Sequence, residues 1–494
     1  MKYHLRYTGP ANGCVVGLLA ALAAGGCAVG PNFHSPAPPA TTRYTPDPQP
    51  GATVQTTGTG GAAQRFLIDE DIPGDWWALF HSEPLDQLVR EALHDSPTVD
   101  AAKAALRSAQ ATYAAQRGAL LLPGLDGTVS ATRESVPGAS FGLPGFPAST
   151  FTLFGASLNV SYNLDLFGAS RRQLEALRAQ STYEKWELEA ARLTLAGNVV
   201  TTALSIASLK AQIAAVTDIV ASETHQLQVT ERQFQAGGVS HADVLAQRSQ
   251  LAQTEATLPP LEKSLAQAQH RLAVLAGQTP DTVELPDIDL DRLALPTQLP
   301  VSVPAKLVRQ RPDVQAAEAL LHQATAQVGV ATANLFPSLS LTGLIGSDTT
   351  QAADLLGPGS KAWSAGASIT QPLFHGGELV QKRRAALADL DSAAAQYRQT
   401  VLTALQDVAD TLRALEADAR DLRAQTVAES AAADSLEITR KQYQAGGVSF
   451  VSLLIAQRQY LQARQARVTA IGTRYSDTAA LFQALGGGWW NRKE

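Results

Sequence analysis

Four segments of the chain alternate apolar and polar residues at every second position, which is the pattern of a strand with two different faces. The apolar positions of the first two segments are Leu125, Val129 and Ala131, then Phe154, Ala156, Leu158, Val160, Tyr162 and Leu164. Those of the last two are Leu339, Leu341 and Ile345, then Trp363, Ala365, Ala367 and Ile369. Mostly small, uncharged polar residues stand between them. The pattern predicts four strands whose apolar face suits lipid and whose polar face suits a wet lumen.

Two long stretches, residues 168–236 and 378–445, contain no proline and predict very long helices. At 1.5 Å per residue, each helix would reach roughly 100 Å. Each stretch ends at a Gly-Gly pair, where glycine supplies the left-handed backbone that a helix end needs. Returning helices of roughly 38 residues are predicted from Ser240 and Ser449. Small Ala and Gln residues along these helices permit the close packing of coiled-coil hairpins.

The chain contains an internal two-fold repeat. The segment QFQAGGVS at residues 233–240 recurs as QYQAGGVS at residues 442–449. Upstream, SPTV at residues 96–99 parallels RPDV at 311–314, and DLF at 165–167 parallels PLF at 372–374. The chain therefore contains two copies of one structural unit, which consists of a helix, two strands and a helical hairpin.

Four strands cannot close a barrel, and an open sheet edge cannot lie in hydrocarbon because its backbone groups would lack hydrogen-bond partners. Three copies would supply about twelve strands, an even number within the range of outer-membrane barrels. The predicted fold is therefore mixed α and β: a homotrimeric 12-stranded β-barrel with four strands per chain, together with long helical hairpins of coiled-coil type. A soluble sandwich attached to helices is the alternative that the pattern alone leaves open.

Composition and charge exclude several classes of function. A net charge of −6 gives no basic surface for nucleic acid. The sequence contains neither a GxxxxGK[ST] phosphate loop nor an HExxH zinc motif. His225 and His241 are interpreted as solvated helix residues rather than ligands. We therefore expect no catalytic site and no metal site.

The N-terminus has the features of a secretory signal. Lys2 and Arg6 precede an apolar run over residues 14–24 that is too short to span a bilayer. Small residues then lead to Cys27, as in a bacterial lipobox, so we expect Cys27 to carry a covalent N-acyl and diacylglycerol lipid. A signal peptide cleaved nearby without lipid is the alternative, because Ala24 stands where a lipobox usually has Leu. Cys14 lies inside the removed segment, so the mature chain can form no internal disulfide.

Several short motifs together resemble one family. They are CAVGP at residues 27–31, DWWALF at 75–80, RPDV at 311–314, FPSL at 336–339, QPLF at 371–374, AQR at 456–458 and ALGGGW at 484–489. With these motifs the chain resembles the outer-membrane efflux protein family, the TolC-like ducts, and within it the NodT-type lipoproteins. The resemblance covers nearly all of the mature chain.

The sequence patterns and the resemblance together predict a division of the chain into seven segments. They are a lipoprotein signal peptide (1–26), a Pro/Thr/Gly-rich tether (27–65), an N-terminal equatorial segment (66–95), repeat 1 (96–280), a linker (281–304), repeat 2 (305–485) and a C-terminal tail (486–494). The resemblance also implies that a long α-helical barrel of coiled-coil hairpins continues the β-barrel. The implied location is the outer membrane, with a lipid anchor and with the helical barrel extending into the periplasm. The implied partners are two further copies, outer-membrane lipid, a periplasmic adaptor and an inner-membrane pump of the resistance-nodulation-division class.

The implied function is a passive export duct for small molecules such as drugs or other toxic compounds. The duct of a type I protein-secretion system shares the fold and is the alternative. A soluble periplasmic adaptor would have one hairpin and no alternating segments.

The resemblance also assigns roles at the hairpin tips. Asp243 and Tyr443 match positions that tie the two hairpins together, and the periplasmic gate maps to Val451, Ser452, Ile455 and Arg458. The adaptor-docking tips are Gly237, Gly238, Val239, Ser240, Gly446, Gly447, Val448 and Ser449. Val448 replaces a basic partner, while Ser452 and Ile455 replace acids of the best-known relative, so an apolar gate is expected in place of a charged ring. Plain helix packing is the alternative role of Val451 and Ile455.

If Cys27 is acylated, Cys27→Ser should abolish incorporation of a fatty-acid probe while the protein is still exported and folded. Because a barrel itself spans the membrane and does not depend on the lipid for attachment, we expect the variant to keep much of its activity. Probe incorporation by Cys27→Ser would contradict the assignment.

Overall fold

The computed structural model describes residues 28–142, 145–281, 285–357 and 359–492, so Cys27 and the signal segment lie outside the described residues. The chain divides into two compact units. Unit 1 takes the chain up to Ser35, Leu106–Glu184 and Ala317–Tyr397. Unit 2 takes Pro36–Ala105, Lys185–Ala316 and the chain from Arg398 onward.

Both repeats contain a helix, two strands, a long helix and a returning helical segment, in that order. The strands are β1 (Arg65–Ile68), β2 (Gly124–Val136), β3 (Ser149–Leu164), β4 (Gln298–Val301), β5 (Ser338–Thr349) and β6 (Lys361–Thr370). The helices are α1 (Glu83–Asp95), α2 (Pro97–Leu121), α3 (Ala169–Gln235), α4 (His241–Glu255), α5 (Leu258–Leu275), α6 (Pro304–Gln310), α7 (Pro312–Ala333), α8 (Glu378–Gln444) and α9 (Phe450–Ala484).

Unit 1 contains an antiparallel sheet in the order β2-β3-β5-β6, which confirms the four predicted strands. Its register aligns the apolar positions, with Leu158 opposite Ile345 and Ile345 opposite Trp363. The polar positions align in the same way, with Asn163 opposite Ser340. Because side chains alternate between the faces of a sheet, one face is apolar and the other is polar.

The apolar face is exposed in the single chain. Val129 is 81% exposed and Trp363 is 78% exposed, far more than a soluble sandwich would leave uncovered. β2 and β6 are the edge strands, so the sheet of one chain is open along both sides. The soluble sandwich alternative therefore does not describe this sheet.

The long helices α3 and α8 have 67 residues each and lie within two residues of their predicted bounds. In unit 2, the buried residues of α8 recur at steps of three and four: Ala404, Val408, Leu412, Leu415, Ala419 and Leu422. This spacing keeps them on one face of the helix. The coiled-coil character that was predicted for this helix is therefore confirmed in its buried stripe.

The first returning helix differs from the prediction, because it is two helices rather than one. α4 ends at Glu255 and α5 begins at Leu258, immediately before Pro259 and Pro260. Proline has no backbone N–H and its ring clashes with the preceding turn, so it is accommodated in the first turn of a new helix. The second returning helix, α9, has no proline and is continuous.

Residues 36–64 have no helix or strand, as expected for an extended segment, but they are fastened to the rest of unit 2. The buried Arg474 of α9 donates to the carbonyl oxygens of Gly60 at 2.7 Å and Ala62 at 2.8 Å. It also donates to the Thr53 hydroxyl at 3.0 Å and to the Gln64 side chain at 3.3 Å. After this segment, β1 pairs in parallel with β4, a two-stranded sheet that the sequence pattern did not predict.

A pair of carboxyl groups lies next to Arg474, between α8 and α9. Burial, and the neighbouring charge of Asp477, raise the pKa of Asp418 from 3.8 to about 7, while Arg474 opposes the shift. A hydrogen bond between two carboxyl groups requires a proton on one of them. The folded protein therefore holds a proton at Asp418 that an unfolded chain would release at lower pH.

The pKa of Asp418 is higher in the folded protein than in the unfolded chain. The protonated carboxyl group therefore contributes fully to the free energy of unfolding below about pH 4, and this contribution is lost as the pH rises through about 7. Asp418→Asn keeps the shape of the protonated acid without the charge. We expect this variant to unfold a few degrees above the wild type at pH 8, with a flatter pH dependence between pH 5 and 8, measured by circular dichroism on heating. Asp434→Asn, an exposed position on the same helix, is the matched control and should change neither. Equal pH dependence in wild type and Asp418→Asn would refute the shared proton.

Candidate functional site at the hairpin tips

The two hairpins of unit 2 end in the same turn. Gly237 and Gly446 have φ angles of 76° and 75°, and their N–H groups donate to Phe234 at 2.9 Å and Tyr443 at 3.0 Å. The next N–H groups, of Gly238 and Gly447, donate five residues back at 2.8 Å in both turns. This pair of bonds satisfies carbonyl groups that a helix end leaves free. Only the first glycine of each pair is left-handed, so the second is not required by the backbone.

Serine caps begin both returning helices. The Ser240 hydroxyl accepts the N–H of Asp243 at 3.2 Å, and the Asp243 carboxylate accepts the N–H of Ser240 at 3.0 Å, which is a complete capping box. The Ser449 hydroxyl accepts the N–H of Ser452 at 3.3 Å. Val239 and Val448 are half-buried beside these caps, while the glycines are exposed. The eight predicted docking residues thus form two similarly built tips, in which the glycines and serines are exposed and the valines are half-buried.

Asp243 and Tyr443, the predicted link between the hairpins, lie near each other without a hydrogen bond between them in the described chain. Burial raises the pKa of Tyr443, and the negative charge of Asp243 adds to the shift. The Tyr443 ring packs on Phe450 at 5.4 Å, and its hydroxyl is buried with no partner among the described residues. An unsatisfied buried hydroxyl costs about 1–3 kcal/mol, so this group is expected to have a partner when the protein is assembled.

The four predicted gate residues lie in the first turns of α9. Val451 is 59% exposed and Ile455 is 43% exposed, one helical turn apart on the same side as the exposed Arg458. The residues that pack inside the hairpin are different ones, Leu453 and Ala456 among them. Helix packing within the chain therefore does not explain Val451 and Ile455. Ser452 is half-buried, with its hydroxyl 3.0 Å from that of Ser449.

The tips differ in their aromatic residues, which the sequence reasoning did not use. In the first hairpin, Phe234 is exposed and lies 5.3 Å from the exposed His241. The equivalent pair in the second hairpin is Tyr443 and Phe450, which is largely buried. Aligning the two copies of the repeat would have revealed this difference. The first tip thus offers an exposed aromatic surface that the second lacks.

The described residues provide no cluster of three or more His, Cys, Asp or Glu side chains suited to a metal ion. His225 and His241 are exposed on their helices, as interpreted from the sequence. Residues 138–142 match the GxSxG pattern of hydrolases. They lie in the connection between β2 and β3 rather than between a strand and a helix, so they are not a nucleophile elbow.

The sequence with its two internal copies also matches known proteins. The protein-family model described as outer membrane efflux protein matches residues 88–278 and 303–487 of this chain. The chain belongs to the outer membrane efflux protein family. The protein is therefore an outer-membrane channel subunit of an efflux pump.

Individual relatives agree with this family over most of their length. The chain is 32% identical to the pyoverdine export outer membrane protein OpmQ of Pseudomonas aeruginosa, over 85% of this chain and 88% of OpmQ. It is 29% identical to the toluene efflux pump outer membrane protein TtgC of Pseudomonas putida, over 95% of this chain and 94% of TtgC. The solved outer-membrane channel OprN has 30% identity and a TM-score of 0.83, with 94% of this chain and 100% of OprN covered. The structure of OprN therefore has the same mixed α and β architecture as the one described above.

The turn geometry of this efflux channel predicts a difference between adjacent glycines. No atom lies within 4 Å of a Cβ added at Gly446, so the effect of Gly446→Ala comes from its left-handed backbone alone, about 1–2 kcal/mol. We expect Gly446→Ala, and more strongly Gly446→Val, to reduce drug resistance in a host that depends on this channel, at normal levels in the outer membrane. Gly447→Ala is the matched control, since its backbone is not left-handed and its nearest neighbour is 3.5 Å away. Equal resistance from all three variants would show that the tip geometry does not matter for export.

Proposed function

We propose that three copies of this chain close into a 12-stranded barrel that forms a passive export duct through the outer membrane. The observation that supports closure is the sheet of unit 1, which exposes an apolar face and two edge strands. Neighbouring strands alternate in direction from β2 through β3 and β5 to β6, so β6 of one copy lies antiparallel to β2 of the next. Antiparallel pairing throughout is the rule in outer-membrane barrels. Threefold closure then leaves no strand edge in the hydrocarbon.

We further assign partners and an anchor. The exposed tips are docking sites for a periplasmic adaptor, which connects the duct to an inner-membrane pump of the resistance-nodulation-division class. The pump supplies the energy, because the sequence contains no phosphate-binding loop. A lipid on Cys27 adds a second attachment to the outer membrane. No other cofactor has a role in this proposal.

The proposed cargo is small organic molecules, including drugs and other toxic compounds. The names of the relatives, for pyoverdine and toluene, fit this class of cargo rather than protein secretion. We therefore favour drug and solvent efflux over a type I secretion duct.

Closure can be tested with introduced cysteines, because the mature chain has no cysteine beyond Cys27. We expect Val129→Cys on β2, combined in turn with a cysteine at Trp363, Ala365 or Ala367 on β6, to give a disulfide in one register. Oxidised outer membranes should then contain a covalent trimer on denaturing gels. Val129→Cys with Ile345→Cys is the control, since β5 is an inner strand and should not reach the next copy. A ladder that stops at dimers, or continues beyond trimers, would refute threefold closure.

The gate is assigned to the exposed side of α9. Around a threefold axis, Val451 and Ile455 of three copies would form an apolar constriction that resists wetting. In this proposal, the hydroxyl of Tyr443 and the carboxylate of Asp243 link neighbouring hairpins in the closed state. Arg458 lies one further turn along the same side of the helix.

An apolar gate predicts specific changes in planar-bilayer conductance. Val451→Ser should raise the resting conductance because a polar ring wets more readily, whereas Val427→Ser, at an exposed valine of α8, should not. Ser452→Asp with Ile455→Asp should add cation selectivity and block by trivalent cations, because six carboxylates would focus negative potential at the mouth. Strong trivalent block of the wild type, or unchanged conductance in Val451→Ser, would show that the constriction lies elsewhere.

A further inference from the structure

A carboxyl group is buried between the two helices of the first hairpin. Glu223 of α3 is 1% exposed, and three polar residues of α4 beside it are also buried: Gln247, Gln250 and Thr254. Because these three are spaced by three and four positions, they lie on one face of α4. The Gln250 amide donates to Glu223 Oε1 at 3.3 Å, and the Gln247 amide donates to the Glu223 backbone carbonyl oxygen at 3.4 Å. We call these four residues the Glu223 cluster.

The hydrogen bonds of the Glu223 cluster are incomplete while its carboxyl group is ionised. Glu223 Oε2 and Gln247 Oε1 are both buried, and neither has a hydrogen-bond partner among the described residues. An ionised carboxylate and an amide oxygen can only accept, whereas a protonated carboxyl group has an O–H that donates. A single proton on Glu223 would therefore add a donor to a cluster that has two unsatisfied acceptors.

The charge of an ionised Glu223 would not be compensated at this place. Burial raises the pKa of Glu223, and the negative charge of Glu255 on α4 adds to the rise. Hydrogen bonds from Thr254 and Gln250 oppose it, and no cationic group of the described chain contributes. A buried carboxylate without a cationic partner is costly, so the protonated form is favoured in the packed hairpin.

The other ionisable groups on the surrounding helices are paired or exposed. Arg248 of α4 contacts the Glu231 carboxylate at 2.9 Å. Arg464 of α9 contacts the Asp218 carboxylate at 2.7 Å and also bonds Tyr460. Four more groups are exposed on their helices: His225, Glu262, Lys263 and Arg458. The response of the Glu223 cluster to pH is therefore expected to come from Glu223 itself.

α4 is a short element that depends on its packing. It has 15 residues, between the glycine turn at the tip and the break before α5. A helix of this length is only marginally stable in water by itself. Ala246 of α4 also packs against a hydrophobic cluster that includes Phe450 and Leu453, in the first turns of α9. A change in the packing of α4 on α3 thus reaches the helix to which we assign the gate.

We propose that the Glu223 cluster is a pH-sensitive switch in the first hairpin. With a proton on Glu223, α4 is held on α3. Without the proton, the buried carboxylate lacks both a cationic partner and enough donors, so α4 loosens and admits water. Acidic conditions then keep the tip of the hairpin compact, and alkaline conditions loosen it together with its contact to α9. Only the effect on the gate rests on the proposed function.

Hydrogen–deuterium exchange of the full-length protein in detergent tests the switch. The pKa of Glu223 lies above its ordinary value of 4.5 while α4 is packed, so the stabilisation by the proton is complete at low pH and is lost as the pH rises through the raised value. After correction for intrinsic exchange rates, the amides of α4 in the wild type should exchange about tenfold faster, or more, at pH 8 than at pH 4.5.

Glu223→Gln imitates the protonated acid, because its amide has both a donor and an acceptor. It should remove the pH dependence and keep α4 protected at pH 8. Glu231→Gln is the matched control, since Glu231 is also on α3 and also contacts α4, but its side chain is 39% exposed. Its carboxylate is already solvated, so this variant should keep the pH dependence of the wild type.

Gln250→Leu gives a second, independent variant. It removes a donor that favours the ionised form of Glu223, so the rise in exchange should extend to higher pH than in the wild type. A glutamate with a merely structural role would not produce this shift. Resting conductance in planar bilayers reports on the gate, and it should rise from pH 4.5 to pH 8 in the wild type but not in Glu223→Gln.

Two results would overturn the switch: exchange of α4 that does not change with pH in the wild type, and an equal change in Glu223→Gln. Faster exchange of α4 with the same conductance at both pH values would overturn its effect on the gate. The exchange measurement needs no adaptor, pump or cargo. Failure of the switch is therefore distinguishable from failure of the proposed duct.

Discussion

The backbone hydrogen bonds of the four-stranded sheet constrain everything else in this molecule. Hydrocarbon offers no donor or acceptor, so an edge strand such as β2 or β6 cannot remain unpaired there. One chain supplies a sheet with two such edges and an apolar outer face. The demand for a partner at each edge is the constraint that the proposed closure by three copies would satisfy.

Much of this fold is readable from the sequence because its signals are local. Alternation with a period of two identifies the strands, and the absence of proline identifies α3 and α8, whose bounds differ little from the expected ones. Pro259 and Pro260 also mark the break between α4 and α5 in the sequence. The total length of the returning stretch, taken alone, predicts one continuous helix instead. By contrast, β1 and β4 have four residues each, too few for alternation to be visible.

The tips illustrate what the sequence cannot provide. The left-handed glycine is predictable from the Gly-Gly pair, although only the backbone tells that Gly446 and not Gly447 needs to be glycine. Asp243 was expected to link hairpins, and the structure gives its carboxylate a local use as the partner of Ser240. The exposure of Val451 and Ile455 was undecided in the sequence because both sides of α9 carry a mixture of small, apolar and amide residues, which leaves no clear helical period.

The fastening of residues 53–64 by Arg474 has a consequence for how the chain is made. Arg474 follows Gln64 by 410 positions and Thr53 by 421, so these bonds join the first part of the mature protein to one of the last. A secreted chain enters the periplasm from its N-terminus, and contacts of such large sequence separation form late. The N-terminal segment must therefore wait, unfolded and accessible to proteases and chaperones, until nearly the entire polypeptide has crossed the inner membrane.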